Sequence, residues 1–152
     1  WNRNRDIEVV QKPARFEQTH FDLYRRYQAG RHPDSGMNDA DPQKYLGFLT
    51  SRQVDTAFFE LRTEGRLLGV AVADLLPDGL SAVYTFYDPD LPQRGLGVHA
   101  VLWEIAETAR RGLDYLYLGY WIAESPKMSY KINYQPAEAL QAGRWSRIVP
   151  TR

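Results

Sequence analysis

The apolar residues that follow Gly97 recur at the spacing of one helix face. They occupy positions i, i+3, i+4, i+7 and i+11, namely Val98, Val101, Leu102, Ile105 and Ala109. The positions between them carry polar side chains, which include Glu104, Glu107, Thr108, Arg110 and Arg111. Gly112 follows, where a helix commonly ends in glycine, and Glu107 and Arg111 have the spacing of an i, i+4 ion pair. The pattern predicts one helix whose apolar stripe is buried.

Two runs that flank this helix have the composition of β-strands. Leu80–Tyr87 and Tyr115–Ile122 are short, rich in aromatic or β-branched residues, and bounded by turn residues. A strand–helix–strand crossover of this length predicts that the two strands pair in parallel.

Shorter signals indicate the elements of the N-terminal third. Ile7–Val10 favours a short edge strand. The apolar stripe from Phe16 to about Arg31 predicts a helix, with Thr19 and Asp22 as a capping box. Asp41–Pro42 has the form of an N-cap followed by proline at the first helical position, so a second helix is expected there.

The middle of the chain predicts an antiparallel meander. Thr56–Arg62 and Arg66–Leu76 are joined by Glu64–Gly65, a typical hairpin turn. The second of these runs is almost wholly apolar, so we expect a central strand covered on both faces. Pro77–Gly79 predicts a turn in which the glycine takes a positive φ. The C-terminal elements expected are a helix, a second helix and a closing strand: Lys127–Ile132, Pro136–Gly143 and Trp145–Ile148.

Composition limits the classes of protein to which the chain can belong. At 152 residues and 43% hydrophobic content, we expect a single domain over residues 1–152. No apolar run reaches a membrane-spanning length and no signal peptide is visible, so a cytoplasmic protein is expected. The absence of cysteine and the three scattered histidines argue against a metal site in this chain. Because Lys+Arg and Asp+Glu both number 19, any contact with a polyanion must be local.

The order of elements resembles the GCN5-related N-acetyltransferase (GNAT) fold, an α+β fold with a mixed central sheet and helices on both faces. In that fold an anion-binding loop enters the third helix, and its pattern, Gln or Arg-x-x-Gly-x-Gly or Ala, appears here as Arg94-Gly-Leu-Gly97-Val-His99, with a departure at the last position. A fixed cation, glycines without Cβ and free helix N–H groups favour a phosphate site. The alternative is an ordinary strand-to-helix turn.

Five ordered segments are similar to the C-terminal domain of aminoacyl-tRNA protein transferases, most of all the bacterial aspartate/glutamate leucyltransferase branch, whose eukaryotic relatives are arginyltransferases. They are Leu23–Tyr27 with Arg31-His32, Ser81–Pro89, Arg94–Gly97, Tyr115–Ile122 and Lys127–Lys131. The resemblance implies transfer of an amino acid, leucine rather than arginine, from tRNA to proteins that begin with Asp or Glu, which creates an N-degron. It also implies a longer protein whose absent N-terminal, cysteine-containing domain binds a metal or an iron–sulfur cluster; no cofactor is expected in the present domain.

Three residues are candidates for the chemistry of such a transfer. His32 is a candidate base, or a loop histidine bonded to backbone. Asp88 is a candidate carboxylate, although Asp88-Pro89 is also typical of a turn that ends a strand. Tyr84 is a candidate catalytic or adenine-stacking residue, with sheet core as its alternative.

Other candidates concern binding. The cations that would recognise an acidic side chain, or else remain solvated, are Arg31, Lys127 and Lys131. Strand alternation places Tyr117 and Trp121 on one face and Tyr120 on the other, so these rings divide between the donor pocket and the core. The candidate ligands of the tRNA phosphates are Arg94, Gly95 and Gly97. The rival functions are an acetyl-CoA-dependent N-acetyltransferase and a non-catalytic module that binds tRNA or protein N-termini.

Overall fold

A computed structural model describes residues 1–31 and 41–150 of the chain. The chain groups into two compact units, Trp1–Tyr117 and Leu118–Arg152. The helices and strands of the first unit are, in chain order, β1 (Glu8–Pro13), α1 (Gln18–Arg31), α2 (Pro42–Leu49), β2 (Asp55–Thr63), β3 (Arg66–Leu75), β4 (Gly79–Tyr87), α3 (Leu96–Arg110) and β5 (Tyr115–Tyr117). Short 3₁₀ turns at Asn2–Asn4 and Pro92–Arg94 complete it.

The sheet of the first unit runs in the order β1-β2-β3-β4-β5. The pairs from β1 to β4 are antiparallel, and β5 pairs with β4 in parallel, as the crossover predicted. β3 is the central strand, and its residues from Leu68 to Ala73 are buried, so the prediction of a strand covered on both faces is confirmed. The mixed α+β sheet expected from the sequence is therefore present.

Helices cover both faces of this sheet because the strands alternate their side chains. Phe58 points to the face on which α1 and α2 pack, where its buried neighbours are Leu23, Tyr24, Tyr45, Leu49, Val70, Val72 and Phe86. Phe59, the next residue, points to the opposite face, where Ala100 and Trp103 of α3 pack. Burial of these aromatic and aliphatic side chains is the main contribution to the stability of the first unit.

The turn predictions have mixed outcomes. Glu64 and Gly65 both have positive φ, 48° and 80°, which confirms the hairpin turn. Gly79 is not among the positive-φ residues, so that part of the prediction is wrong. Glycine is required there because a Cβ would collide with the backbone carbonyl oxygen of Tyr115 on β5.

Helix α3 buries a different face from the one that the sequence predicted. Val98 is 55% exposed and Ile105 is 40% exposed, whereas the predicted polar side contains several of the buried residues, Glu104, Glu107 and Thr108. The physical reason is a second stripe, Leu96, Ala100 and Trp103, which begins two residues earlier. Its Trp103 ring packs 4.8 Å from the Phe59 ring, and that contact fixes the rotation of the helix.

The ends of the helices follow the expected capping chemistry only in part. Gly112 has a φ of 70°, and the N–H of Leu113 donates to the carbonyl of Thr108, which confirms the C-cap. Asp41 caps α2 by accepting from the N–H of Gln43 at 2.9 Å, also as predicted. Thr19 lies inside α1, which begins at Gln18, so the predicted capping box does not form.

The second unit contains α4 (Pro126–Ser129), a 3₁₀ turn at Tyr130–Asn133 and the antiparallel hairpin of β6 (Ala137–Gln141) and β7 (Arg144–Ile148). The helix predicted at Pro136–Gly143 is wrong, because Ala142 and Gly143 take positive φ and fold the segment into a hairpin. The closing strand is confirmed. The strand predicted to reach Ile122 ends at Tyr117. None of the described helices has the length and apolarity to cross a membrane.

Candidate functional site

Over the described residues, the outer edge of β4 beyond Ser81 has no strand partner, and this open edge is called the crevice. β5 pairs with only the first three residues of β4, Gly79 to Ser81, and over the described residues β5 has no pairing with the rest of that strand. On its other side β4 carries a bulge, since Ala82 pairs with Ala73 and Tyr84 with Val72, which leaves Val83 without a partner. A bulge beside an unpaired edge leaves backbone N–H and C=O groups available to a ligand.

The N-terminus of α3 follows the same strand. Gly95 adopts the left-handed conformation, with φ 59° and ψ 47°, and turns the chain into the helix. The first intrahelical bond runs from the N–H of His99 to the carbonyl of Gly95, so the N–H groups of the first turn have no helical acceptor. Free N–H groups and the helix dipole make this end suited to an anion.

Gly97 lies against the ring of Tyr87. A Cβ on Gly97 would come 3.2 Å from Tyr87 Cε1, a contact tighter than side chains normally tolerate. Gly97 does not have positive φ, so its requirement is space rather than backbone freedom. Sequence reasoning did not select Tyr87, although its place at the end of β4 and seven residues before Arg94 is a usable signal.

Two tyrosines of β4 contact polar side chains of α1 near this open edge. The guanidinium of Arg31 lies 5.7 Å from the centroid of the Tyr87 ring, a cation–π arrangement. Tyr84 accepts a hydrogen bond from Gln28 Nε2 at 2.8 Å. Burial raises the pKa of Tyr84, so its hydroxyl stays protonated near neutral pH.

Arg94 does not project as a free cation. Its Nε donates to Asn4 Oδ1 at 3.0 Å and its Nη2 to Asp6 Oδ1 at 2.7 Å. Asn4 Nδ2 donates in turn to the backbone carbonyl of Arg94 at 2.9 Å. The cation that was expected at the phosphates is therefore paired within the protein.

Asp88 is a buried carboxylate that two arginines neutralise. It accepts from Arg26 at 3.0 Å, from Arg66 at 2.6 Å and from the N–H of Asp90 at 3.0 Å. Burial would raise the pKa of Asp88, but the N–H of Asp90 and the two guanidinium groups outweigh it and hold the pKa below its usual range. A carboxylate so stabilised is a poor general base, and the contacts give Asp88 a structural role.

A second buried charged cluster was missed by sequence reasoning. His20 Nε2 lies 2.6 Å from Glu60 Oε1 and 2.9 Å from Glu17 Oε2, a group of the kind that could hold a metal ion. Arg62 already donates to Glu60 at 2.7 Å and balances its charge. The Glu17–His20 spacing, i, i+3 at the start of a helix, was the available signal. The candidate base His32 lies outside the described residues.

The candidate Tyr117 lies at the far end of β4 from Tyr87. Its hydroxyl donates to Asp78 at 2.9 Å, and its ring lies 5.9 Å from that of Tyr115, which confirms that these two share a face. Since β5 pairs only with the first three residues of β4, Tyr117 belongs to the closed end of the strand pair rather than to the crevice.

The remaining candidates belong to the second unit. Lys131 Nζ donates to the backbone carbonyl of Tyr120 at 2.6 Å, and burial lowers the pKa of Lys131. Trp121 Nε1 donates weakly to the carbonyl of Ser129 at 3.4 Å. Lys127 is exposed, and Tyr120 is 86% exposed. The two lysines were expected to share one face. Instead, Lys131 donates its hydrogen bond to a backbone carbonyl, and of the two only Lys127 is an exposed cation.

The sheet, its open edge and the helix N-terminus have the arrangement of the N-acetyltransferase fold. The crystal structure of the ribosomal-protein-S18-alanine N-acetyltransferase from Escherichia coli matches this chain with a TM-score of 0.56. The match covers 87% of this chain and 79% of that chain at 19% identity, so it shows the fold alone. The GNAT-like fold expected from the sequence is confirmed.

Sequence comparison identifies the family. The chain belongs to the family described as arginine-tRNA-protein transferase, C terminus, whose model matches residues 19–141. It is 46% identical over 152 residues to the aspartate/glutamate leucyltransferase of Nitrosococcus oceani, and 50% identical over 147 residues to that of Pseudomonas aeruginosa. These alignments cover 99% and 97% of this chain but only 64% and 63% of the relatives, so the chain spans less than two thirds of their length.

Proposed function

We propose that this chain is the transferase domain of an aminoacyl-tRNA protein transferase, which moves leucine from charged tRNA to the α-amine of proteins that begin with Asp or Glu. The observation that carries the proposal is the family match over residues 19–141, which contains every element of the crevice, together with relatives that are named aspartate/glutamate leucyltransferases. The product would be an N-degron, and the use of charged tRNA would locate the reaction in the cytoplasm.

The proposed reaction needs positioning more than it needs an activated nucleophile. The acceptor nitrogen attacks the ester carbonyl carbon, the amide bond forms, the ester bond breaks, and the terminal ribose hydroxyl of tRNA leaves with a proton. Because the ester is already activated, the protein has to align the amine with it and stabilise the oxyanion that develops. The unpaired backbone at Val83 is the feature of the crevice best suited to donate to that oxyanion.

The donor would bind at the helix end of the crevice. The free N–H groups that follow Gly95 suit a phosphate near the 3′ end of the tRNA. Tyr84 and Tyr87, which both pack against the ring of Tyr27 and are partly exposed, offer a stacking surface for the terminal adenine. Packing against the ring of Tyr87 explains the need for a residue without Cβ at Gly97, and it holds that ring beside the N-terminus of α3.

The structure offers no activated carboxylate or phenolate in the described part of this crevice. Asp88 is neutralised by two arginines, and the Tyr84 hydroxyl is protonated. A free α-amine has a pKa of about 7.7 to 8.0, so a useful fraction is unprotonated near neutral pH without a strong base. The role of His32 as a base stays a prediction.

Recognition of the acidic side chain is assigned to exposed cations. Arg31 and Lys127 project without a carboxylate partner among the described residues, whereas Lys131 is held by a carbonyl. Lys127→Ala is therefore expected to lower the preference for Asp-initiated over Ala-initiated peptides. The chain has no cysteine, so its residues do not fit the cysteine-ligated metal or iron–sulfur cluster that the family resemblance implies.

The test is single-turnover transfer of labelled leucine from charged tRNA to peptides that begin with Asp, Glu or Ala. The chain is assayed beside the full-length relative from Nitrosococcus oceani as a positive control. We expect Asp and Glu peptides to be modified and Ala peptides to be spared. A parallel reaction supplies acetyl-CoA instead of tRNA. Saturable acetyl-CoA binding with acetyl transfer, and no leucine transfer, would refute the proposal.

A further inference from the structure

The segment that precedes β1 is bonded to the loop that enters α3. Asn4 is 3% exposed and makes a reciprocal pair with Arg94, since its amide donates to the Arg94 carbonyl and its oxygen accepts from Arg94 Nε. Arg3 Nη1 donates to the carbonyl of Gln93 at 2.8 Å. Two consecutive carbonyls of the loop are thus held by side chains about 90 residues away in sequence.

Asp6 ties the same loop to the sheet. One carboxylate oxygen accepts from Arg94 Nη2 at 2.7 Å, and the other accepts from Thr63 Oγ1, at the end of β2, at 2.9 Å. The hydrogen bonds from Arg94 and Thr63 lower the pKa of Asp6, so the carboxylate is charged at neutral pH. The positive charge of Arg94 is therefore matched by a negative charge at hydrogen-bond distance.

We infer that Arg94 is a positioning residue rather than a phosphate ligand, and that Asn4 and Asp6 are the groups that hold it. Arg94 immediately precedes Gly95, the residue whose left-handed conformation aims the first N–H groups of α3. A fixed carbonyl and a fixed guanidinium at residue 94 limit where that helix end can lie. The inference rests on the proposed function for the identity of the anion, and it assigns the anion contact to backbone N–H groups.

Removing the charge of Asp6 distinguishes Arg94 as a phosphate ligand from Arg94 as a positioning residue. Asp6→Asn keeps an oxygen that can accept from Arg94 but removes the charge that offsets the guanidinium. If Arg94 were a phosphate ligand, removing that charge would strengthen tRNA binding and steepen its salt dependence. If Arg94 is a positioning residue, the same change loosens the loop, so tRNA use falls and the salt slope is unchanged.

The first experiment measures kcat and KM for charged tRNA across a salt series, in the unmodified protein and in three variants. Asn4→Ala removes both bonds of the reciprocal pair, and we expect kcat/KM for tRNA to fall by about 10-fold. The loss should appear in KM, with the KM for the acceptor peptide unchanged. Asp6→Asn should give a smaller fall. Arg5→Ala removes an exposed cation whose hydrogen bond, among the described residues, goes to the side chain of Asn2 three positions earlier, and it should be neutral.

A second experiment, by NMR, does not depend on enzymatic activity. In ¹⁵N-labelled protein, Asn4→Ala and Asp6→Asn should shift the amide resonances of Gly95 and Gly97. Gly112, at the other end of α3, is the internal control and should not move. Absence of leucine transfer by the unmodified protein would count against the proposed function while leaving this second experiment informative. Unchanged Gly95 and Gly97 resonances, or tighter and more salt-dependent tRNA binding by Asp6→Asn, would overturn the inference.

Discussion

Replacing Glu104 by glutamine is expected to stabilise the protein at neutral pH. Glu104 lies in the middle of α3, is fully buried, and has two carboxyl oxygens without a hydrogen-bond partner among residues 1–31 and 41–150. Burial raises its pKa from 4.5 to about 8. The folded protein therefore holds a proton at pH 7 that the unfolded chain has released, and this uptake costs stability.

The magnitude follows from the difference between the folded and unfolded pKa values. One pKa unit corresponds to about 1.4 kcal/mol, so the cost is about 3 kcal/mol at pH 7 and approaches about 5 kcal/mol above pH 8. The free energy of unfolding should fall as pH rises from about 4.5 to about 8. Glutamine has the same shape and does not ionise, so Glu104→Gln should remove that slope and gain about 3 kcal/mol at pH 7.

The assay is urea unfolding at pH 5, 7 and 8.5, with Glu107→Gln as the matched control on the same helix. Glu107 is also buried, but hydrogen bonds from Arg110 and Arg111 lower its pKa. Its replacement should destabilise the protein at pH 7, the opposite sign. If Glu104→Gln is neutral or destabilising at pH 7 and the slope with pH persists, the carboxyl group is solvated or paired and the reasoning is wrong.

Three further substitutions test other parts of the structure. Gly79→Ala should destabilise by about 1 to 3 kcal/mol in thermal unfolding, because its Cβ collides with the carbonyl of the neighbouring strand. Asp88→Asn should cost about 1 to 3 kcal/mol, since it removes the charge that pairs with Arg66 and one of the two carboxylates that pair with Arg26. Asp90→Asn, at a 77% exposed position, should change urea unfolding by less than about 0.5 kcal/mol. Lys131→Met should lower the free energy of unfolding by about 1 kcal/mol, because it removes the hydrogen bond to the Tyr120 carbonyl. Lys127→Met should leave the free energy of unfolding unchanged and lower the preference for Asp-initiated peptides.

Local and short-range features were predictable from the sequence. The Glu64–Gly65 turn, the Asp41 cap and the Gly112 C-cap each depend on residues within a few positions of one another. The parallel pairing of β4 with β5 followed from the length of the crossover alone. The family resemblance extended this to the class of protein, and the match over residues 19–141 agrees with it.

The rotation of α3 and the roles of the site residues required the tertiary structure. The helix carries two apolar stripes, and periodicity cannot choose between them, because the choice depends on Phe59 and the alanines of the sheet beneath. The Pro136–Gly143 segment has helical composition but forms a hairpin with β7, because a strand partner outside the segment overrides local propensity.

The candidate site shows the same division between sequence and tertiary structure. The sequence by itself determined where a helix N-terminus suited to an anion would occur, since a glycine loop before an apolar helical stripe is a local pattern. It could not determine that the Arg94 cation is neutralised by Asp6 or that Asp88 is enclosed by Arg26 and Arg66. Those partners lie between 22 and 88 residues away, and an electrostatic environment is set by distance in space rather than by distance along the chain.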